Sequence, residues 1–242
     1  MRSFVWSVFL SGLVCLAPGR SMAQATNSPV GTWAVTWGGR DRAITYLTFT
    51  ATSNSMDWSG YGISARSFGS VTFSGTWDYD SKARVVGGYT ELFPNDAESG
   101  HIVINLPGGI NLRGTASATN GKFSLRGHPS GAIPNIAGSN WFWTVRSRGN
   151  ISFENNIITA STNMVGWFDV TGQGSGPGGT FTTSGALIVN SDRRVHGYTI
   201  RDLGLSGSVT SSFSGRFNVP LNKVVLKGRD DNHHGVVIRA TQ

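Results

Sequence analysis

The sequence offers few groups of residues that could perform chemistry, and the densest one lies near the end of the chain. Asp230, His233 and His234 provide carboxylate oxygen and imidazole nitrogen atoms of the kinds that bind transition metals. Adjacent residues of an extended segment point to opposite sides, so the two histidines seldom reach one ion. We therefore interpret the segment as a polar turn and keep these three residues only as weak metal-site candidates. The sequence predicts no cofactor.

Acids and nucleophiles form no recognisable catalytic set. Asp80 opens a predicted turn, where aspartate commonly bonds the backbone, and Asn190 stands at the matching position of the second half. No Gly-x-Ser-x-Gly nucleophile elbow is present. The glycine-rich stretch at 172–179 precedes no predicted helix, which favours a loop between strands over a phosphate cradle. No catalytic residues are predicted, and the sequence favours a non-enzymatic protein.

Aromatic residues are the most informative group that remains. Large rings mostly belong to a core, but some can line a pocket or stack on a sugar. Trp58 lies in Asp57-Trp58-Ser59-Gly60-Tyr61-Gly62, which has the polar surroundings of a binding loop, and Trp167 is its approximate partner in the second half. The residues predicted to bind a ligand are Trp58, Asp57, Tyr61, Trp167, Trp37 and Trp143.

These residues belong to an internal repeat. Residues 74–90 read S-G-T-W-D-Y-D-S-K-A-R-V-V-G-G-Y-T, and residues 184–199 read S-G-A-L-I-V-N-S-D-R-R-V-H-G-Y-T. Trp33 and Trp141 occupy matching places at the start of each half. The constant order of such matches predicts two repeats, at residues 26–131 and 139–242, joined by a linker rich in proline, glycine and serine.

Alternation of polar and apolar residues sets the predicted fold class. Val71, Phe73 and Trp77 share one face of a predicted strand, as do Phe213 and Phe217 in the second half. Such alternation is typical of antiparallel strands with one dry face, and about eight strands can close a barrel. We predict an all-β antiparallel meander with internal duplication, folded either as two small β-barrels or as one pseudo-symmetric barrel or sandwich. Glycines on the dry faces, such as Gly75 and Gly185, are expected to let a backbone or a ring approach closely.

The N-terminal segment and the net charge limit the expected location of the protein and its expected partners. Residues 1–25 read as a cleavable signal peptide, with Arg2, an apolar run and Ala23-Gln24-Ala25. Val14 before Cys15 does not fit a lipoprotein, so we expect a secreted or periplasmic protein. The net charge of +7 comes from basic residues scattered singly, which disfavours nucleic acid as a partner. A weak association with an anionic membrane or polysaccharide stays open. A membrane-spanning barrel is disfavoured because most predicted strands are short.

One short motif resembles a known family. Gly31-Thr32-Trp33, at the opening of the first predicted strand, is similar to the Gly-x-Trp motif of the lipocalins and the wider calycin group of β-barrels. In that family a basic residue near the end of the last strand packs over the tryptophan, a role that the resemblance gives to Arg126 and Lys227. Ser139-Asn140-Trp141 lacks the glycine. The resemblance implies a barrel that binds a ligand.

Three functional hypotheses follow. The first is a non-enzymatic binding protein that takes a small apolar or aromatic molecule, or a glycan, into a barrel. The second is a structural or adhesive surface protein, whose barrels are filled and whose aromatics face outward. The third is an isomerase or cyclase that uses a barrel cavity, which requires a titratable pair in a pocket. Asp57 with His101 and Asp230 with His234 are the pairs that such an enzyme could use.

Overall fold

The computed structural model describes residues 28–39, 42–64, 68–93, 96–119 and 121–242. The predicted signal peptide lies outside the described residues. The strands of the first half are β1 (Gly31–Gly38), β2 (Ala43–Ala51), β3 (Met56–Ser64), β4 (Gly69–Thr76), β5 (Asp78–Tyr79), β6 (Val85–Phe93), β7 (Asp96–Asn105), β8 (Leu112–Ala118) and β9 (Gly121–Pro129). Those of the second half are β10 (Gly138–Ser147), β11 (Asn150–Ala160), β12 (Trp167–Gly176), β13 (Gly179–Val189), β14 (Arg194–Asp202), β15 (Ser208–Phe217), β16 (Lys223–Asp230) and β17 (Gly235–Thr241).

Each half closes into its own eight-stranded antiparallel barrel. Consecutive strands pair along the chain, and the circles are completed where β1 pairs with β9 and β10 pairs with β17. In the first barrel, β4 and β5 act as one strand interrupted at Trp77, because both pair with β6 in a single register. The predicted all-β meander is therefore confirmed, and the chain forms two barrels rather than one. Two single 3-10 turns, Pro107–Gly109 and Gly204–Ser206, are the helical segments that the structure describes.

The repeated stretch forms the same hairpin in both barrels. The backbone N–H of Arg84 donates to Asp80 Oδ1 over 2.9 Å, and that of Arg194 donates to Asn190 Oδ1 over 3.0 Å. Asp80 and Asn190 thus perform the predicted turn role, which needs an oxygen acceptor but no charge. The Arg84 side chain also donates to Asp80, and these hydrogen bonds lower the pKa of that carboxyl group.

The Gly-Tyr-Thr part of the repeat is out of register between the barrels. Gly75 lies opposite Tyr89, whereas the matching Gly185 lies opposite Thr199. Because the second copy is one residue shorter, Tyr89 faces its barrel interior while Tyr198 packs at the contact between the barrels. A one-residue slip reverses the face of a side chain in a strand. The identical residues in the two Gly-Tyr-Thr copies therefore do not occupy equivalent positions in the two barrels.

Aromatic rings in mutual contact form the interior of the first barrel. Trp37 stacks on Phe73 with ring centroids 5.1 Å apart, and Phe49 stacks on Trp58 at 5.8 Å. A Cβ atom at Gly75 would lie 2.1 Å from the carbonyl oxygen of Gly88, so only glycine fits there. Phe73, Trp77, Phe213 and Phe217 are all buried, which confirms the predicted dry faces.

A separate apolar cluster joins the two barrels. Tyr46 is fully buried in it and donates a hydrogen bond of 2.7 Å to the carbonyl oxygen of Val189. Tyr61 donates to the carbonyl oxygen of Val165 over 2.9 Å. The other members come from β1, β2, β3, β12 and β13, and they are Ala34, Ile44, Ile63, Trp167, Ala186 and Ile188. The contact side of the second barrel is therefore centred on β13.

The tryptophans that begin each half are held in the same way. Trp33 Nε1 donates to the carbonyl oxygen of Pro29 over 2.6 Å, and Trp141 Nε1 donates to that of Ile136 over 3.1 Å. Ile136 is buried and closes this end of the second barrel. Arg126 and Lys227 lie at exposed outward positions, so neither takes the role over a tryptophan that the lipocalin resemblance implies.

Strand lengths exceed the expectation from sequence. The strands β10 to β13 contain 10 or 11 residues, which is long enough for a barrel that spans a bilayer. Outward positions near the middle of β16 and β17, however, hold Lys227 and Arg239, and Arg146 lies near the end of β10. Those strands lack a continuous outward apolar band. Among the described residues, no helix has the length and hydropathy of a membrane span.

Candidate ligand-binding site

A cavity opens at the end of the second barrel that lies away from Ile136. Its volume is about 280 Å³, and all eight strands of this barrel contribute lining residues. The side chains of Val145, Phe181, Val209 and Val236 provide apolar walls, and Arg201 reaches the cavity from β14. A concave site with apolar walls and a few converging polar groups is the usual form of a small-molecule site.

Glycines of β12 keep this end of the barrel open. A Cβ atom at Gly174 would lie 2.5 Å from the ring of Phe181, which is the cross-strand partner of Gly174 on β13. The edge of the Phe181 ring therefore occupies the space that a side chain at Gly174 would need. The expected loop at 172–179 is wrong in extent, since Gly172–Gly176 belongs to β12 and the turn consists of Pro177 and Gly178.

A charged pair forms a buried layer at the base of the cavity. The Arg201 side chain is 12% exposed and that of Glu154 is 0% exposed, with Nη2 and Oε1 2.7 Å apart. This contact is an ion pair without hydrogen-bond geometry. Asn156 Nδ2 and Thr183 Oγ1 donate to Glu154 Oε2 over 3.2 and 3.1 Å, and Arg201 lies over the Phe181 ring at 5.5 Å.

The same layer keeps hydrogen-bonding capacity. Arg201 Nε, Thr199 Oγ1, Asn156 Oδ1 and Trp143 Nε1 are buried and have no partner among the described residues. Buried polar groups in proteins are nearly always paired, so such a concentration in one layer requires an explanation. Of the residues that carry these atoms, Arg201 lines the cavity, where a bound molecule could act as an acceptor for its guanidinium group.

Asp230, His234 and Arg148 meet at the rim of the cavity. His234 Nδ1 lies 3.0 Å from Asp230 Oδ1, and the guanidinium of Arg148 contacts His234 Nε2. The backbone N–H of His234 also donates to Asp230 Oδ1 over 2.8 Å, which closes the predicted polar turn. His233 is exposed. No group of three potential metal ligands occurs in the described part of the chain.

The structure separates the residues that the sequence nominated as ligand-binding. Trp37 and Trp58 lie in the interior of the first barrel, and Trp143 lies in that of the second, against Phe213. Tyr61 and Trp167 pack against each other between the barrels, with ring centroids 6.5 Å apart. The side chain of Asp57 is exposed on the outer face of β3. Binding by these six residues stays a prediction.

Sequence reasoning missed Arg201, Glu154 and Phe181, and it missed Glu154 because β11 faces in an unusual direction. Its apolar residues Phe153 and Ile157 are about half exposed on the outside, while Glu154 and Asn156 are buried inside. Ordinary patterning assigns the apolar face of a strand to the core. The alternation in β11 is visible in the sequence, but its direction depends on the position of neighbouring strands.

A second depression lies at the junction of the barrels, with a volume of about 490 Å³. Its lining includes Arg113, Arg126 and Arg194, and Arg113 lies directly opposite Arg126 in the sheet. Arg113, Arg126 and Arg194 are exposed. The depression is larger than the cavity of the second barrel, but its arginines are exposed to solvent, so the cavity is the better-formed site.

Comparisons with known proteins show likeness of fold alone. No protein-family profile matches the sequence, and no curated protein shows significant similarity to it. Two redesigned β-barrels bound to DFHBI, mFAP1 and mFAP0, are each 14% identical; they match 44% and 45% of this chain and 95% and 100% of their own, with TM-scores of 0.39 and 0.37. A candidate outer membrane protein from Bacteroides fragilis is 9% identical over 88% of this chain and 97% of its own, with a TM-score of 0.29.

Proposed function

We propose that this protein is a non-catalytic binding protein, secreted or periplasmic, that takes a small molecule into the mouth of its second barrel. The observation that carries the proposal is the cavity of about 280 Å³ above the buried layer of Arg201 and Glu154. An ion pair is expensive to bury, and hydrophobic replacements often serve stability equally well. A functional requirement for polar groups at this depth of the barrel accounts for the buried ion pair.

The lining indicates the chemistry of the ligand. Phe181, Val145, Val209 and Val236 suit an apolar or aromatic body. Arg201 at the base and Arg148 at the rim suit an acceptor-rich or anionic group, because guanidinium groups bind planar oxyanions well. A compact aromatic acid fits both features. A sugar ring stacked on Phe181 is the glycan form of the same proposal.

One observation favours an enzymatic role, namely the contact of His234 with Asp230 at the cavity rim. A general base needs a ring nitrogen free to take a proton from a substrate. In this structure Arg148 occupies Nε2 and Asp230 faces Nδ1. Both nitrogens are engaged, which favours binding over catalysis.

Titration with the fluorescent probe anilinonaphthalene sulfonate, an aromatic anion, tests the proposal. Val209→Trp should fill the cavity and weaken probe binding at least about tenfold, since an indole removes the space that the probe needs. Thr210→Trp is the matched control, because the next residue of β15 faces the other side of the strand. Equal probe affinity of Val209→Trp and the wild type would contradict binding in this cavity.

A further inference from the structure

The outer wall of the second barrel is strongly basic on four neighbouring strands. The outward positions of β15, β16, β17 and β10, which the structure describes in full, contain no carboxylate. We call the exposed basic side chains at these positions the basic wall, and they are Arg146, Arg216, Lys223, Lys227, Arg229 and Arg239. They are far apart in sequence, and the antiparallel pairing brings them together.

The charges of the basic wall are not neutralised by the protein itself. Within the described chain, no residue of the basic wall forms an ion pair; Arg216 Nε donates instead to the carbonyl oxygen of Asp192 over 3.0 Å. Arg216 also lies directly opposite Arg194 of β14, another exposed arginine. Like charges placed opposite each other in a sheet repel. An anionic partner would relieve this repulsion.

An exposed apolar stripe adjoins the basic wall. Phe142 of β10 and Phe153 of β11 are 49% and 47% exposed, and their rings stack with centroids 6.0 Å apart. Ile157 and Ile151 extend this stripe along β11. Ile151 lies directly opposite Arg146, so the stripe and the basic wall are continuous. Clustered exposed apolar side chains rimmed by polar ones mark interaction surfaces.

This combined surface points away from the first barrel. The contact between the barrels is centred on β13, and in a closed ring of eight strands the strand farthest from β13 is β17. The basic wall and the apolar stripe lie on β17 and on the two strands to either side of it, from β15 round to β11. A large flat partner can therefore approach without meeting the first barrel.

We propose that the basic wall and the apolar stripe dock this protein on the surface of an anionic phospholipid bilayer. Lysine and arginine would contact headgroup phosphates, while Phe142 and Phe153 would enter the boundary between headgroups and acyl chains. Long basic side chains can reach a plane from a curved wall. A polysaccharide or nucleic acid would satisfy the charges and could stack on the phenylalanines, but the exposed aliphatic side chains of Ile151 and Ile157 suit acyl chains better than sugars or bases. The inference goes beyond ligand binding in the cavity and is independent of it.

Co-sedimentation with vesicles tests the inference. We expect the full chain to bind vesicles of phosphatidylcholine mixed with phosphatidylglycerol, to release at high salt, and to bind phosphatidylcholine alone far more weakly. Lys227→Gln/Arg239→Gln should weaken binding to the mixed vesicles at least about tenfold, because each basic residue contributes to attraction near an anionic surface. Phe142→Ser/Phe153→Ser should weaken it to a similar extent.

A control with the same charge change separates local from general electrostatics. Lys82→Gln/Lys122→Gln alters exposed lysines of the first barrel and should leave vesicle binding within about twofold of the wild type. Absence of vesicle binding would overturn the inference. Full binding by Phe142→Ser/Phe153→Ser, or equal affinity of the wild type for dextran sulfate in solution, would overturn it in favour of a polyanion surface.

Discussion

At the base of the cavity in the second barrel, Arg201 and Glu154 meet where little solvent reaches them. Coulomb attraction between them is stronger than at the surface because burial screens the charges from water. The same burial makes each charge costly when it stands alone.

Turn residues such as Asp80 and Asn190 could be predicted from sequence, because their hydrogen bonds are local. The Arg201–Glu154 pair could not, because it joins strands that are not neighbours in the sheet.

Breaking this pair should be more harmful than removing it. We expect Arg201→Met to lower the free energy of unfolding by about 3–5 kcal/mol, because Glu154 is left buried without its cation. Arg201→Met/Glu154→Leu should recover most of that loss. Urea denaturation of both variants measures the difference, and a double variant as unstable as the single one would contradict the assignment of a buried pair.

His196 should make stability depend on pH. Burial, followed by the charge of Arg42, lowers the pKa of His196 from 6.5 to about 4 in the folded protein. As the pH falls from about 6.5 to about 4, the unfolded chain takes up a proton that the folded chain does not. Stability should therefore decrease through this window, by at most about 3 kcal/mol.

The matched variant for this effect is His196→Val. Val86 occupies the equivalent place in the first barrel. Val86 pairs with Asp78 across the hairpin, and His196 pairs with Ile188 at the same place in the second barrel. Thermal unfolding at a series of pH values should show a smaller acid loss for His196→Val than for the wild type. Parallel pH profiles of the two proteins would show that His196 does not titrate in this way.

Among the secondary-structure elements, β11 departs most from simple patterning. Strands such as β4 and β15 place their apolar faces inward, as predicted from alternation. In β11 the apolar residues Phe153 and Ile157 face outward, so one strand contributes both to the polar cavity layer and to the apolar stripe. The alternation was predictable, but its direction depends on the register that its neighbours impose.

Substitutions on the two faces of β11 should differ sharply. Phe153→Thr should lower the free energy of unfolding by no more than about 1.5 kcal/mol, because the ring is half exposed and mainly loses its stacking on Phe142. Ile158→Ala should cost about 2–5 kcal/mol, because that side chain is 2% exposed in the core. Chemical denaturation of the two variants provides the comparison, and similar losses would contradict the direction of the strand.

At the scale of the whole molecule, two barrels are coupled by the cluster around Tyr46. The repeat in the sequence left one barrel or two open, because closure depends on pairing between the first and last strand of each half. That pairing joins residues such as Trp33 and Pro129 that are distant in the chain. Local patterns do not determine which distant strand edges meet.

The coupling between the barrels can be measured at Tyr46. Tyr46→Phe should lower the free energy of unfolding by about 1–3 kcal/mol, because the carbonyl oxygen of Val189 loses its buried donor. Tyr61→Phe removes a more exposed hydrogen bond across the same contact and should have a smaller effect. Thermal unfolding compares them, and an equal or larger loss for Tyr61→Phe would contradict the assigned role of Tyr46.

Native mass spectrometry of the protein purified from its own host tests ligand binding in the second barrel most directly. The wild type should retain a small molecule that Val209→Trp lacks and Thr210→Trp keeps. Of these two positions, Val209 lines the cavity and Thr210 does not. The bound mass should correspond to a compact molecule that fits about 280 Å³. A ligand retained equally by Val209→Trp, or no retained ligand in any of the three proteins, would contradict the account.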